Sequence, residues 1–177
     1  MKRITRIRNL KSEIRHGATA PAFTLAEAVV STAIVAVMFV AALNTVGTSR
    51  VAQHKNAMAG RGQLFAQALM AEILQQDYKD AGSSPVFGLE SGESNATRAD
   101  FDDVDDYTGW TASPPTAKDG TALANSTDWR HTVTVEWINR LNPAQVETTE
   151  TGAKRIRVTL SCHNVPQASL VAIRTAY

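Results

Sequence analysis

A chain of 177 residues with a net charge of +1 is long enough for one domain plus an anchor or tail, and it lacks the broad basic field that nucleic-acid binding calls for. A single cysteine, Cys162, excludes an internal disulfide and a cysteine zinc cluster, and reads as a small buried apolar residue. The near-zero average hides an asymmetry. Ahead of Phe23, the six basic residues Lys2, Arg3, Arg6, Arg8, Lys11 and Arg15 face Glu13 alone, a net +5, and the other 12 basic and 16 acidic residues leave the rest at −4. A basic head before an apolar run, with an acidic body behind it, is a topology signal: head in the cytoplasm, body outside.

The apolar run is Phe23 to Val46, FTLAEAVVSTAIVAVMFVAALNTV, with Glu27 as its only charge. As a helix its 24 residues extend about 36 Å, enough for a hydrocarbon core of roughly 30 Å. Pro21 precedes it and the next proline is Pro85, so one helix from Phe23 to about Gln76 is allowed. Three readings compete. A secretory signal is cut after its apolar stretch at a small-residue site, but Thr45-Val46-Gly47 fits poorly and Ala18-Thr19-Ala20 lies on the wrong side. An uncut anchor accommodates the run and leaves Glu27 unexplained. Cleavage between Ala22 and Phe23 explains it. The cut creates an ammonium group on Phe23, one helical turn from Glu27, and the carboxylate meets that amine or a neighbouring subunit's.

Ala22-Phe23-Thr24-Leu25-Ala26-Glu27, behind a basic leader and ahead of about twenty apolar residues, resembles the N-terminal signal of type IV pilins and type II secretion pseudopilins. The resemblance covers roughly residues 1 to 50. It implies that a prepilin peptidase removes the leader 1–22 and methylates the new amine, that Phe23 opens the mature chain, and that Glu27 recruits the subunit into a fibre. Alanine stands at position 22, where the family usually has glycine. The expected organisation is therefore a cleaved leader (1–22), a transmembrane and assembly helix (23–47), and a periplasmic or extracellular domain (48–177).

Beyond Gly47 the sequence turns polar but stays compatible with a helix. Met58, Phe65, Leu69 and Ile73 form an apolar stripe widened by Leu64, Ala68 and Leu74, with Gln63, Gln67, Glu72 and Gln75 opposite. Gly60 and Gly62 weaken this stretch, and a break or bend is expected there. From 80 to 128 the turn chemistry of Gly82-Ser83-Ser84-Pro85, Ser113-Pro114-Pro115 and Asp119-Gly120 predicts a long irregular loop. Within it Asp100, Asp102, Asp103, Asp105 and Asp106 crowd among Phe101, Tyr107 and Trp110. Two readings stay open. One is a structural acidic loop pinned by its rings, with carboxylates pointing outward or capping backbone amides. The other is calcium held somewhere in this cluster, whose spacing is not that of an EF-hand; no metal ligand is assigned, and Asp102, Asp103, Asp105 and Asp106 are the candidate residues of the loop. A catalytic carboxylate pair is disfavoured, because no nucleophile, base or pocket accompanies it. The string Phe101-Asp102-Asp103-Val104-Asp105-Asp106-Tyr107 also resembles a segment of minor pilins of the mannose-sensitive haemagglutinin D type and the related V-type group.

The last third alternates with period two. Trp129, His131, Val133, Val135 and Trp137 share one face, and Ile156, Val158, Leu160 and Cys162 another, which predicts half-buried antiparallel strands. Asn142-Pro143 and Thr151-Gly152 are turns, a middle strand is expected around 145–149, and Leu170 to Thr175 adds a last strand. The fold expected is α+β: a long helix, transmembrane in its first half and amphipathic in its second, packed on an antiparallel sheet of three to four strands. His131 reads as a satisfied half-buried histidine, and His16, His54 and His163 have no metal-site spacing. There is no nucleophile elbow, phosphate loop, metal triad or dinucleotide fingerprint, so no enzyme is expected. The leading expectation is a minor pilin-like subunit. Its partners would be a prepilin peptidase, other pilin or pseudopilin subunits, an inner-membrane assembly platform and the lipid bilayer. A type II secretion pseudopilin, and a membrane-anchored ligand- or calcium-binding module, are the alternatives.

Overall fold

The computed structural model describes residues 22–80 and 86–176. The expected leader, apart from Ala22, and the turn at 82–85 lie outside them. One helix, α1 (Leu25–Leu74), precedes a four-stranded antiparallel sheet of β1 (Thr111–Ala112), β2 (Trp129–Trp137), β3 (Ala153–Cys162) and β4 (Val165–Thr175), in the order β1-β2-β3-β4. The protein is thus α+β. The chain divides into two compact units after Thr48.

In the first unit the helix begins on a sequence-coded cap. Thr24 Oγ1 accepts the amide of Glu27 at 3.2 Å, and Thr24-x-x-Glu27 has the spacing of a capping box. Glu27 thereby sits in the first turn, where unpaired amides favour a negative charge. Up to Val46 the large apolar side chains are exposed. The hydroxyls of Thr32, Thr45 and Thr48 bond carbonyls of the preceding turn, so these polar side chains need no external partner. The helix is long and apolar enough to cross a membrane, and none of its most apolar stretch is buried within the chain.

In the second unit, α1 packs on the sheet. Its buried residues are Gly62, Ala66, Leu69, Met70 and Ile73, with Met58 and Phe65 partly buried beside them. The stripe is narrower than expected and rotated: Leu64, Ala68 and Leu74 are exposed, and Ala66 and Met70 take their place. The helix is also unbroken at Gly60 and Gly62. At Gly62 the reason is packing: a Cβ there would lie 3.0 Å from Gln167 Cβ and 3.1 Å from the Trp129 ring. The missing side chain lets the sheet approach, and the contact offsets the helical cost of glycine.

β2 and β3 pair in register from Trp129↔Cys162 to Trp137↔Lys154. Trp129, Val133, Val135, Ile156, Val158, Leu160 and Cys162 meet the helix in one core. β3 turns into β4 through His163-Asn164, both with positive φ, which is the two-residue hairpin turn whose twist matches the flanking strands. β4 starts at Val165, earlier than expected. The middle strand around 145–149 does not form. A single bridge, Ile138↔Val146, stands in its place, because Asn139 Oδ1 accepts the amides of Leu141 and Asn142 and turns the chain before a ladder can extend.

The long loop is tied to this core. Phe101 packs edge-on against Tyr107 and Trp110, with ring centroids 5.0 and 5.6 Å apart. Phe101, Val104, Tyr107 and Trp110 are buried with the helix and strand residues.

Candidate functional site

The candidate residues lie in two places. At the start of α1, Ala22, Phe23 and Glu27 are exposed, and the Glu27 carboxylate has no hydrogen-bond or ion-pair partner among the described residues. Thr24 caps the turn that separates Phe23 from Glu27.

The acidic loop is the second place, and its four aspartates do different things. Asp103 Oδ1 accepts the amides of Asp105 (2.7 Å) and Asp106 (3.3 Å), and its Oδ2 accepts that of Asp80 (2.8 Å). Asp106 Oδ2 returns the favour to the amides of Asp102 and Asp103, both at 3.0 Å. This reciprocal pair, three residues apart, closes the 3₁₀ turn Asp105–Tyr107 as a capping box closes a helix. Asp105 is neutralised: its Oδ1 meets Lys154 Nζ and its Oδ2 accepts the amide of Gly88. Asp102 is exposed.

Capping, and not outward display, is therefore the arrangement of Asp103 and Asp106. The four carboxylates do not converge on one point. Asp103 is saturated with amides and Asp105 faces a lysine. Of the buried three, only Asp106 keeps an unpartnered oxygen, Oδ1. That residue meets Glu90 and Glu93, one carboxylate oxygen of each lying within 4.8 Å of the others. Burial pushes Asp106 up to about 6, against the two amides it accepts. Burial, with Glu93, Asp80 and Asp106 nearby, pushes Glu90 up to about 7.

Other charges inside the fold are balanced. Arg98, 1% exposed, donates to both carboxylate oxygens of Glu72 and to Thr116, and lies 5.3 Å from the Trp110 ring centroid. Glu72, expected on the polar face of the helix, thus sits at the edge of the buried stripe, where Tyr107 also donates to it at 3.0 Å. A cleft of about 180 Å³ beside Lys154 is lined by Lys79, Val86, Phe87, Trp137 and Glu150.

His131 is buried on β2 and accepts a hydrogen bond from Trp110 Nε1 at 3.1 Å, so its Nε2 carries no proton. Burial, with Arg98 nearby, lowers its pKa from 6.5 to about 4. The unfolded chain then takes up this proton first. The contribution is whole above pH 6.5 and is lost as pH falls toward 4, by about 3 kcal/mol at roughly 1.4 kcal/mol per pH unit. Chemical unfolding of wild type and His131→Gln between pH 4 and 7 is expected to show this difference narrowing as pH falls. A constant difference would refute it.

No family model matches the chain, no curated protein is detectably similar to it in sequence, and no solved structure matches its fold.

Proposed function

We propose that this chain is a minor pilin-like structural subunit, cut by a prepilin peptidase between Ala22 and Phe23 and assembled through its N-terminal helix into a type IV pilus. The observation that carries the reading is Glu27: the one charge in the exposed apolar stretch 23–46, one turn after the residue that cleavage would make the first. The subunit waits in the inner membrane as a single-pass protein, leader in the cytoplasm and globular unit outside. An assembly platform extracts it, and the helix moves from lipid into a bundle of like helices. Both surroundings are apolar, so the transfer costs little. The contact between Glu27 and a Phe23 amine sets register, and the globular unit decorates the fibre. No catalytic step belongs to this reading.

The mass of the intact membrane-purified protein tests it. Loss of residues 1–22 and gain of one methyl group are expected. Residues 1–22 still attached in cells with an active prepilin peptidase would refute the fibre reading.

A pseudopilin of a type II secretion system uses the same N-terminal features and differs only in the machine served. A membrane-anchored binding module is the reading favoured by a separate observation, the carboxylate oxygens of Glu90 and the Oδ1 of Asp106, which have no hydrogen-bond donor among the described residues.

A further inference from the structure

We propose that Glu90, Glu93 and Asp106 hold one calcium-sized divalent cation that fastens the acidic loop to the globular unit. The inference needs neither leader cleavage nor fibre assembly, and so stands or falls apart from the fibre reading.

The first observation is convergence. One oxygen from each of the three carboxylates lies within 4.8 Å of the other two. Calcium binds oxygen at about 2.3–2.6 Å, so ligands on opposite sides of the ion stand roughly 4.6–5.2 Å apart. The three groups reach such an ion without rearranging the backbone.

The second observation is independent: oxygens inside the fold that, among the described residues, meet no amide, hydroxyl or basic side chain and only another carboxylate, that of Glu93. Asp106 is 1% exposed, and its Oδ1 has no hydrogen-bond partner. Both carboxylate oxygens of Glu90 are also inaccessible and, among the described residues, have no amide, hydroxyl or basic partner. Buried carboxylate oxygens in this state are costly unless a cation or proton meets them. The other carboxylates packed into this unit are matched: Asp105 by Lys154, Glu72 by Arg98, Glu136 by Arg155, and Asp103 by three backbone amides. Among the described residues no basic side chain pairs with Glu90, Glu93 or Asp106.

The third is preorganisation. Two amides fix Asp106 through Oδ2, which orients its free Oδ1. Glu93 Oε2 accepts the amide of Glu90 at 2.8 Å, and Glu93 N bonds Glu90 O at 3.3 Å, so the two glutamates share one turn. The ligands thus come from two segments, 90–93 and the 3₁₀ turn at 105–107. A cation between them cross-links the loop. Three carboxylates leave the remaining positions of a six- to eight-coordinate ion to water.

The test uses the full chain purified in detergent, treated with chelator and titrated with calcium chloride or magnesium chloride. One calcium per chain by elemental analysis is expected, together with a calcium-dependent rise in Tm. Glu90→Gln is the informative variant, because among the described residues no backbone amide or basic side chain donates to the Glu90 carboxylate. It is expected to weaken calcium binding at least tenfold and to leave the chelated protein as stable as chelated wild type, or more so. Asp106→Asn, which keeps an oxygen for the two amides, is expected to behave alike. The assignment is overturned by no bound calcium at millimolar free ion, by unchanged binding in Glu90→Gln, or by an equal response to magnesium.

Discussion

Lys154→Met is expected to destabilise the globular unit by about 3–5 kcal/mol, the usual cost of removing one partner from a buried ion pair. Lys154 and Asp105 are 1% and 4% exposed. The ammonium also donates to the carbonyl of Tyr78 and lies 4.3 Å from the Tyr78 ring centroid. Methionine fills the same volume and removes the charge, so the lost term is electrostatic. Asp105 is then left charged in a closed site with only the Gly88 amide as donor. Adding Asp105→Asn removes the stranded charge and keeps an acceptor for that amide, and is expected to restore a large part of the loss. All three tryptophans lie in this unit, so denaturant unfolding followed by their fluorescence reads it directly. A double variant no better than the single one would show that packing, not charge, holds Lys154.

Lys154 also shows how far the sequence could be read. Along β3 it falls in phase with Ile156, Val158 and Leu160, so strict alternation places a lysine on the apolar face. That placement was a legible sign of a buried partner, although nothing in the sequence names Asp105, 49 residues earlier. The strands were legible because period two survives burial on one face. The helix stripe was less so. The residues closest to the sheet include Gly62 and Ala66, which carry little apolar weight, whereas Leu64 and Leu74 carry much and are exposed. Periodicity marks hydrophobic side chains, and here close approach of backbones decided the face. The acidic loop was the least legible part. Five aspartates within 100–106 drew attention to themselves, and the unpartnered oxygens converge through Glu90 and Glu93, which belong to an unremarkable polar stretch. Which carboxylates saturate themselves on local amides depends on turn geometry, and composition does not contain it.

Glu27→Gln is expected to leave membrane insertion intact and to lower incorporation into fibres by about 10²-fold or more. The choice of glutamine separates two roles that the structure superimposes. Glu27 is the third residue of a turn capped by Thr24, and there either Glu or Gln completes a capping box. It also places a negative charge beside the helix N-terminus. Glutamine keeps the first role and abolishes the charge, so a helix weakened at its start cannot account for a defect in this variant. If the carboxylate neutralises a Phe23 amine among packed apolar helices, its removal strands an ammonium there, at about 3–5 kcal/mol. Each 1.4 kcal/mol is a factor of ten in the partition between bilayer and fibre. Insertion does not suffer, because a neutral amide costs less in lipid than a carboxylate. The measurement is the ratio of sheared-fibre to membrane-bound protein in cells that carry the assembly machinery, with cleavage before Phe23 verified by mass. An unchanged ratio with normal cleavage would assign Glu27 to helix capping alone and remove it from assembly. Loss of cleavage would instead place it in recognition by the peptidase.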